Sequence, residues 1–137
     1  MKLVIEASDL QILQNHATEG YPHEVVGILA GIRESGEVQR VSPLLNERAE
    51  TKNRYKVSPL ILMRAEQKLE REGLEIIGYY HSHPDHSAQY SEYDREHALP
   101  NMSYLILSIC KQTPKEYRSW RLSEDRSVMH PETIVIR

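Results

Sequence analysis

The sequence predicts a single α/β domain in which helices and strands are mixed along the chain. Its 137 residues are about the usual size of one domain. Short apolar segments rich in β-branched residues, such as Val25–Ala30, are typical of buried strands. Other segments carry apolar residues at helical spacing, as Leu10, Leu13 and Ala17 do. Because no repeat, low-complexity tract or linker divides the chain, we expect one domain over residues 1–137.

The first helix is predicted over residues 9–19. Ser8 and Gln11 form a capping-box pattern at its start. Gly20 and Pro22 follow its last apolar position, and both residue types end helices.

The second helix is predicted to begin at Ser58 and Pro59. Serine is a favoured N-cap residue, and proline is favoured at the first helical position. Gly73 is expected to end this helix. A third, short helix is predicted from Glu92 to about residue 99, with Pro100 near its end.

Six segments have the composition or alternation of strands, the second of them more weakly than the others. They are Val25–Ala30, Val38–Leu44, Leu74–Tyr80, Ser103–Cys110, Glu116–Leu122 and Thr133–Ile136.

Composition and charge exclude several classes of protein. The apolar runs are much shorter than the roughly 20 residues of a membrane span, so no membrane segment is expected. The 17 Lys and Arg residues against 20 Asp and Glu residues give a net charge of -3. This balance is unfavourable for nucleic-acid binding, which uses a basic surplus.

Cys110 is the only cysteine, which excludes an intramolecular disulfide and a thiolate-rich zinc site. Its apolar surroundings in sequence favour a small buried side chain over a reactive thiol. The N-terminal residues contain no apolar stretch of the kind that signal peptides have, so a cytoplasmic location is expected.

His81 and His83 end an apolar strand in the segment His81-Ser-His-Pro84. Residues i and i+2 of a strand point to the same face with Cα atoms roughly 6.5 Å apart, so two imidazoles can converge on one metal ion. Such a pair also arises by chance on a polar strand face, and both interpretations remain open at this point.

Two acidic residues could complete the site. Asp94, in the first turn of the short helix, can turn its carboxylate towards the strand end and leave a fourth zinc position open for water. Alternatively, Ser91 only caps the helix and Asp94 only interacts with the helix dipole. Glu24, directly before an apolar strand, is a candidate general base. The alternative for Glu24 is a glutamate at a strand edge in solvent.

Taken together, the residues resemble the JAMM (MPN+) metalloprotease family. The pattern of that family is an upstream Glu, then His-x-His-Pro, a short spacer and Ser-x-x-Asp. Here it is met by Glu24, His81-Ser-His-Pro84 and Ser91-x-x-Asp94. The segment Arg54–Pro59 also resembles the family's lead into its second helix, and the resemblance covers residues 8–125. Val26 stands where small prokaryotic members often carry cysteine, but this position is not a ligand.

The resemblance implies a fold, a site and an activity. The fold is a curved mixed β-sheet flanked by helices. His81, His83 and Asp94 bind one Zn²⁺ with its water, Glu24 is the general base, and Ser91 supports the oxyanion. The implied enzyme is a small, free-standing prokaryotic-type peptidase. It cleaves after the C-terminal Gly-Gly of a ubiquitin-like or sulfur-carrier protein, which is the expected partner.

Three other functions remain open: a non-catalytic interaction module of the same fold, a zinc hydrolase of small amides, and a relative of DNA-repair-associated proteins with a similar His-x-His-Pro pattern. His86 and His97 are expected to lie outside the ligand set, because a fourth protein ligand would close the position that catalysis requires. Residues 40–56 have a local surplus of three positive charges. A solvated loop is the favoured interpretation, and a surface that steers an acidic partner is the alternative.

Overall fold

The computed structural model describes residues 1–44 and 58–137. Ten elements lie in these ranges: β1 (Lys2–Ile5), α1 (Ala7–Gly20), β2 (Val26–Ile32), β3 (Glu37–Leu44), α2 (Pro59–Arg71), β4 (Glu75–Pro84), α3 (Glu92–His97), β5 (Ser103–Cys110), β6 (Thr113–Leu122) and β7 (Met129–Ile136).

The seven strands form a curved mixed sheet that closes into a barrel in the order β1-β3-β2-β4-β5-β6-β7. The pairs β1/β3, β1/β7 and β4/β5 are parallel, and the other neighbours are antiparallel. A parallel pair needs a crossover connection. Between β4 and β5 that connection contains α3, and it therefore brings α3 back towards the end of β4.

Alternation along β2 separates the core into two sides. Val25 and Leu29 join the cluster beneath α1, whereas Ile28 and Ala30 pack with Leu69 of α2. A third cluster, centred on Trp120, lies under the segment between β4 and α3. The helices therefore flank the sheet, as the family resemblance implies.

Gly27 is required where β2 and β4 pair. It lies opposite Tyr80 in the register, and a Cβ atom at position 27 would approach the Tyr80 ring to 2.1 Å. The Tyr80 side chain is fully buried, and its hydroxyl lies 2.8 Å from Nδ1 of His16 in α1. The missing side chain at position 27 thus lets a large aromatic residue link the sheet to α1.

The structure corrects the predicted N-terminal region. The strand β1 was not predicted, because four residues of apolar sequence are too short to identify a strand by alternation. The predicted capping box of Ser8 and Gln11 is wrong: α1 begins at Ala7, and its N-cap residue Glu6 makes no side-chain capping hydrogen bond. The backbone N–H of Ala7 instead donates to the carbonyl of Arg137.

Other differences concern strand ends and one side chain. The strands β4, β6 and β7 extend beyond their predicted limits, since pairing with neighbours continues past the apolar core. Cys110 is half-buried rather than fully buried.

Most of the basic segment 40–56, and with it most of Arg54–Pro59, lies outside the described residues. None of the helices within the described ranges is long and apolar enough to span a membrane.

Candidate metal centre

His81 and His83 present their imidazoles side by side at the end of β4. Pairing with Val26 of β2 and Ile106 of β5 fixes the backbone of His81, whose side chain is almost fully buried. The two Nε2 atoms lie 3.2 Å apart. The predicted convergence of the pair is therefore confirmed.

Asp94 lies over both histidines. Its Oδ1 is 3.1 Å from Nε2 of His81, and its Oδ2 is 3.1 Å from Nε2 of His83. Oδ2 also accepts a hydrogen bond of 2.9 Å from the N–H of Ser91, while Oγ of Ser91 accepts one of 3.0 Å from the N–H of Asp94. The capping interpretation is thus correct, and the same carboxylate also faces the two imidazoles.

Each neighbouring pair of these atoms has about the spacing of two ligands on a tetrahedral metal ion. Ligand atoms about 2.0–2.1 Å from zinc in tetrahedral geometry lie roughly 3.3 Å from one another. The two Nε2 atoms and the nearer Asp94 oxygens are separated by 3.1–3.2 Å. Two imidazole nitrogens and a carboxylate oxygen are also common zinc ligands.

The environment of His83 supports this fit. Its Nδ1 lies 2.8 Å from the carbonyl oxygen of Ser87, which can only accept, so Nδ1 carries the proton. This Nδ1 contact is of the kind that orients metal-bound histidines, and it leaves Nε2 directed at the carboxylate of Asp94.

The three side chains shift one another's pKa values. Burial opposes the charged form of Asp94, but hydrogen bonds to His81 and His83 outweigh burial and hold the pKa of Asp94 well below its ordinary value. Burial lowers the pKa of His81. For His83, burial also favours the neutral form, but the hydrogen bond and charge of Asp94 prevail and raise its pKa. Asp94 is therefore a carboxylate, as metal binding requires.

Glu24 lies beside this group and is buried, with 5% of its surface exposed. The alternative of a solvent-exposed edge glutamate is therefore wrong. One ligand atom from each of Glu24, His81 and His83 lies within 4.8 Å of the others, so these three residues could also hold a metal ion.

Ser82, between the two histidines, fixes the backbone next to Glu24. Its Oγ accepts a hydrogen bond of 2.9 Å from the N–H of Val25, and its own N–H donates to the carbonyl of Val25 at 3.1 Å. The start of β2 is thereby held against the end of β4. These two bonds hold the residue next to Glu24 and so help to position Glu24 relative to the histidines.

A second connection joins the segment before Glu24 to the segment after His83. The hydroxyl of Tyr21 donates to the carboxylate of Asp85, with contacts of 2.7 and 2.9 Å. The N–H of Lys111, at the tip of the β5–β6 turn, donates to the same carboxylate at 3.0 Å. Sequence reasoning missed this pair, because no pattern along the chain links Tyr21 to Asp85.

The segment from residue 86 to 88 is held by β5 and β6. Both backbone groups of Ala88 are bound by side chains of β6: Glu116 accepts from its N–H at 2.8 Å, and the indole of Trp120 donates to its carbonyl at 3.0 Å. Ser108 of β5 donates to the carbonyl of His86. This wall of the site is therefore fixed without its own helix or strand.

A cavity of about 440 Å³ opens onto these groups. It is within the usual size range of ligand pockets. Its lining comprises Glu24, His83, Pro84, His86, Ser87, Gln89, Tyr90, Ser91 and Asp94. Of the two histidines that we expect outside the ligand set, His86 lies on the cavity wall, and His97 stacks on Tyr93 with ring centres 4.0 Å apart.

Comparison with known proteins identifies the family. Residues 6–123 match the family model of prokaryotic homologs of the JAB domain. A desampylase of Haloferax volcanii is 34% identical over 112 residues, which cover 78% of this chain and 81% of that protein. A probable TtuB-protein conjugate cleaving protease of Thermus thermophilus is 39% identical over 97 residues, covering 71% of this chain and 64% of that protein.

Solved structures agree with the fold. A protein from Desulfitobacterium hafniense superimposes with a TM-score of 0.85 at 27% identity, covering all of this chain and 93% of that one. A JAB1/MPN domain protein from Archaeoglobus fulgidus has a TM-score of 0.58 at 16% identity, covering 97% of this chain and 99% of that one, and supports the fold alone. The family resemblance seen in the motif is confirmed. This chain belongs to the family of prokaryotic homologs of the JAB domain.

Proposed function

We propose that this protein is a zinc-dependent peptidase or isopeptidase that cleaves the bond after the C-terminal Gly-Gly of a ubiquitin-like or sulfur-carrier protein. The observation that carries the proposal is the contact of His81, His83 and Asp94 beside the buried carboxylate of Glu24. The names of the two curated relatives, a desampylase and a conjugate-cleaving protease, support a substrate of this class.

In this proposal Nε2 of His81, Nε2 of His83 and the carboxylate of Asp94 hold the zinc ion. They are favoured over a set containing Glu24, because Asp94 lies 3.1 Å from both imidazoles. Bound zinc supplies Lewis-acid chemistry: it polarises a carbonyl group and lowers the pKa of a coordinated water to about 7.

Glu24 acts as the general base. Its carboxylate takes a proton from the attacking water and returns it to the nitrogen of the leaving amine. Burial restricts the motion of the side chain, and the bonds of Ser82 hold the neighbouring backbone. The carboxylate thus remains on the cavity wall next to the histidines.

Ser91 stabilises the developing negative charge on the substrate oxygen. Its Oγ accepts the capping hydrogen bond from Asp94 through a lone pair, so the hydroxyl proton is available for donation. Ser91 also lines the cavity together with Glu24 and Asp94. Capping and oxyanion stabilisation are therefore compatible in one side chain.

The test measures hydrolysis of Gly-Gly-terminated ubiquitin-like and sulfur-carrier fusions by zinc-loaded protein, with short amides as comparison substrates. The parent protein is expected to cleave the fusions after Gly-Gly. Glu24→Gln should retain stoichiometric zinc and lose turnover by roughly 10²–10⁴-fold, the usual contribution of a general base. Glu70→Gln, which changes an exposed glutamate on α2, is the matched control and should behave like the parent.

Two of the alternative functions predict different results. A non-catalytic module would cleave nothing and could still bind the fusion. A hydrolase of small amides would cleave only the short substrates. Loss of zinc from Glu24→Gln would make Glu24 a ligand rather than the base.

A further inference from the structure

We propose that Arg126 is a positioning residue for Asp94, a role that rests on the proposed zinc site. Arg126 lies in the turn between β6 and β7 and contacts the carboxyl end of α3. It holds this helix in the place from which Asp94 reaches the two histidines.

Helix α3 is short and has little buried surface of its own to stabilise it. It has six residues, and none of them is buried. Isolated helices shorter than about 12–15 residues are marginal in water. The capping box at the amino end uses the carboxylate of Asp94, whose Oδ2 is shared between Ser91 and His83. A shift of α3 would therefore move a proposed ligand directly.

The carboxyl end of α3 is bound by Arg126. One guanidinium nitrogen donates to the carbonyl of Ala98 at 3.1 Å and to that of Glu96 at 3.4 Å. These carbonyls lie where a helix leaves its acceptors without internal partners, and where its dipole favours a positive charge.

Arg95 forms the reciprocal contact. Its Nη1 donates to the carbonyl of Arg126 at 2.7 Å, while its Nε and Nη2 bond to Glu92 at the start of α3. The turn and the helix thus exchange hydrogen bonds in both directions. Neither arginine touches His81 or His83 through a described contact, so their effect on the site passes through α3.

The turn itself is well braced. The carboxylate of Asp125 accepts hydrogen bonds from the hydroxyl of Ser123 and from both the N–H and the hydroxyl of Ser127. The N–H of Ser123 donates to the carbonyl of Val128. These hydrogen bonds fix the backbone of the turn from which the Arg126 side chain extends to α3.

The backbone of Arg126 supports a role for its side chain. Its φ is +63°, in the left-handed region where glycine and asparagine are favoured. An arginine here is disfavoured by the backbone. The turn conformation alone does not explain why an arginine occurs at this position. The contacts of its guanidinium with α3 do explain it.

This backbone conformation permits a sharp test. Arg126→Gly suits the φ of +63° and removes the whole side chain, including the guanidinium that contacts α3. Gln112→Gly, at the exposed β5–β6 turn with a φ of +65°, gives the same backbone benefit without any described contact to α3. Arg126→Lys restores the charge with a single donor group.

We expect Arg126→Gly to weaken zinc affinity by roughly 10-fold or more, as measured by chelator competition, the lower end of the range for residues that support metal ligands. The melting temperature of the metal-free variant should not fall below that of Gln112→Gly. Amide hydrogen exchange of residues 92–98 should accelerate in Arg126→Gly alone. Arg126→Lys should recover part of the affinity.

Zinc affinity of Arg126→Gly within about threefold of the parent would overturn this role of Arg126 and leave the zinc site intact. A melting temperature of metal-free Arg126→Gly well below that of Gln112→Gly would also overturn this role. The lost zinc affinity would then follow from a less stable fold. A parent protein that binds no zinc would overturn both proposals.

Discussion

The carboxylate of Asp94 takes part in two structures at once. It completes the capping box of α3 with Ser91, and it faces both imidazoles of the proposed zinc site. The same holds for Ser91, which caps the helix and lines the cavity. At the residue scale, local folding and the site therefore depend on the same atoms.

Replacement of Ser91 by aspartate separates its two roles. Aspartate caps helices about as well as serine, so Ser91→Asp should melt within a few degrees of the parent. A carboxylate cannot donate a proton to an oxyanion at neutral pH and repels its charge. Turnover of a Gly-Gly-terminated substrate should therefore fall by roughly 10²–10³-fold.

Zinc content must be measured in this variant, because the new carboxylate lies near the proposed ligands. Ser8→Asp, in the first turn of α1 and exposed, is a matched control for a new acidic group at a helix start. Parental turnover by a stable, zinc-loaded Ser91→Asp protein would leave Ser91 as a cap only.

The segment between β4 and α3 shows how elements of regular structure hold an irregular one. Ala88 is fully buried. Its backbone N–H and carbonyl are bound by side chains and not by backbone groups of a helix or sheet. Glu116 and Trp120, which lie on the same face of β6 because they are four residues apart, supply both partners. The strand thereby determines the shape of the cavity wall.

This dependence predicts different effects for two substitutions at one position. Glu116→Ala leaves the buried N–H of Ala88 without its acceptor and should lower the free energy of unfolding by about 1–3 kcal/mol. Glu116→Gln keeps an oxygen acceptor and should stay within about 0.5 kcal/mol of the parent. Urea denaturation measures both. Equal stability of the two variants would show that the contact with Ala88 contributes little.

The whole molecule brings the site together from segments that are distant in sequence. Glu24 precedes β2, the histidines end β4, and Asp94 lies in the crossover to β5. Pairing of β2 with β4 aligns Val26 with His81, and parallel pairing of β4 with β5 requires the crossover. The pairing of β4 with β2 and β5 thus places the three segments at one end of the barrel.

A ligand that binds only this assembled form stabilises the whole fold. At free zinc 100 times its dissociation constant, the gain is about 2.7 kcal/mol. For a domain of this size the melting temperature should rise by roughly 10 °C. Thermal unfolding with and without zinc tests this expectation, and a chelator should reverse the rise.

Asp94→Asn should lose most of this zinc-dependent rise, because it removes a charged ligand. His86→Ala should retain it, since His86 is expected outside the ligand set. A full rise in Asp94→Asn would contradict the assigned ligands, and its loss in His86→Ala would place His86 among them.

The sequence by itself determined what depends on local geometry. The spacing of His81 and His83 implied a common face, because side chains alternate along a strand. Ser91 implied the N-cap of α3 with Asp94 in its first turn, and Ser58 with Pro59 marked the start of α2, where Oγ of Ser58 accepts from the N–H of Leu60. These features involve residues only a few positions apart, so residue type and spacing predicted them, although the equally local pattern of Ser8 and Gln11 formed no capping box.

Only the tertiary structure decided the contacts between distant segments. The bond from Tyr21 to Asp85 joins residues 64 positions apart, and the contact of Arg126 with Ala98 joins residues 28 positions apart. The burial of Glu24 also depends on segments distant in sequence. The strand β1 is likewise defined by its pairing with β7 at the other end of the chain. Such contacts arise when elements pack to bury apolar surface, and a pattern read along the chain carries no information about which distant backbone groups then meet.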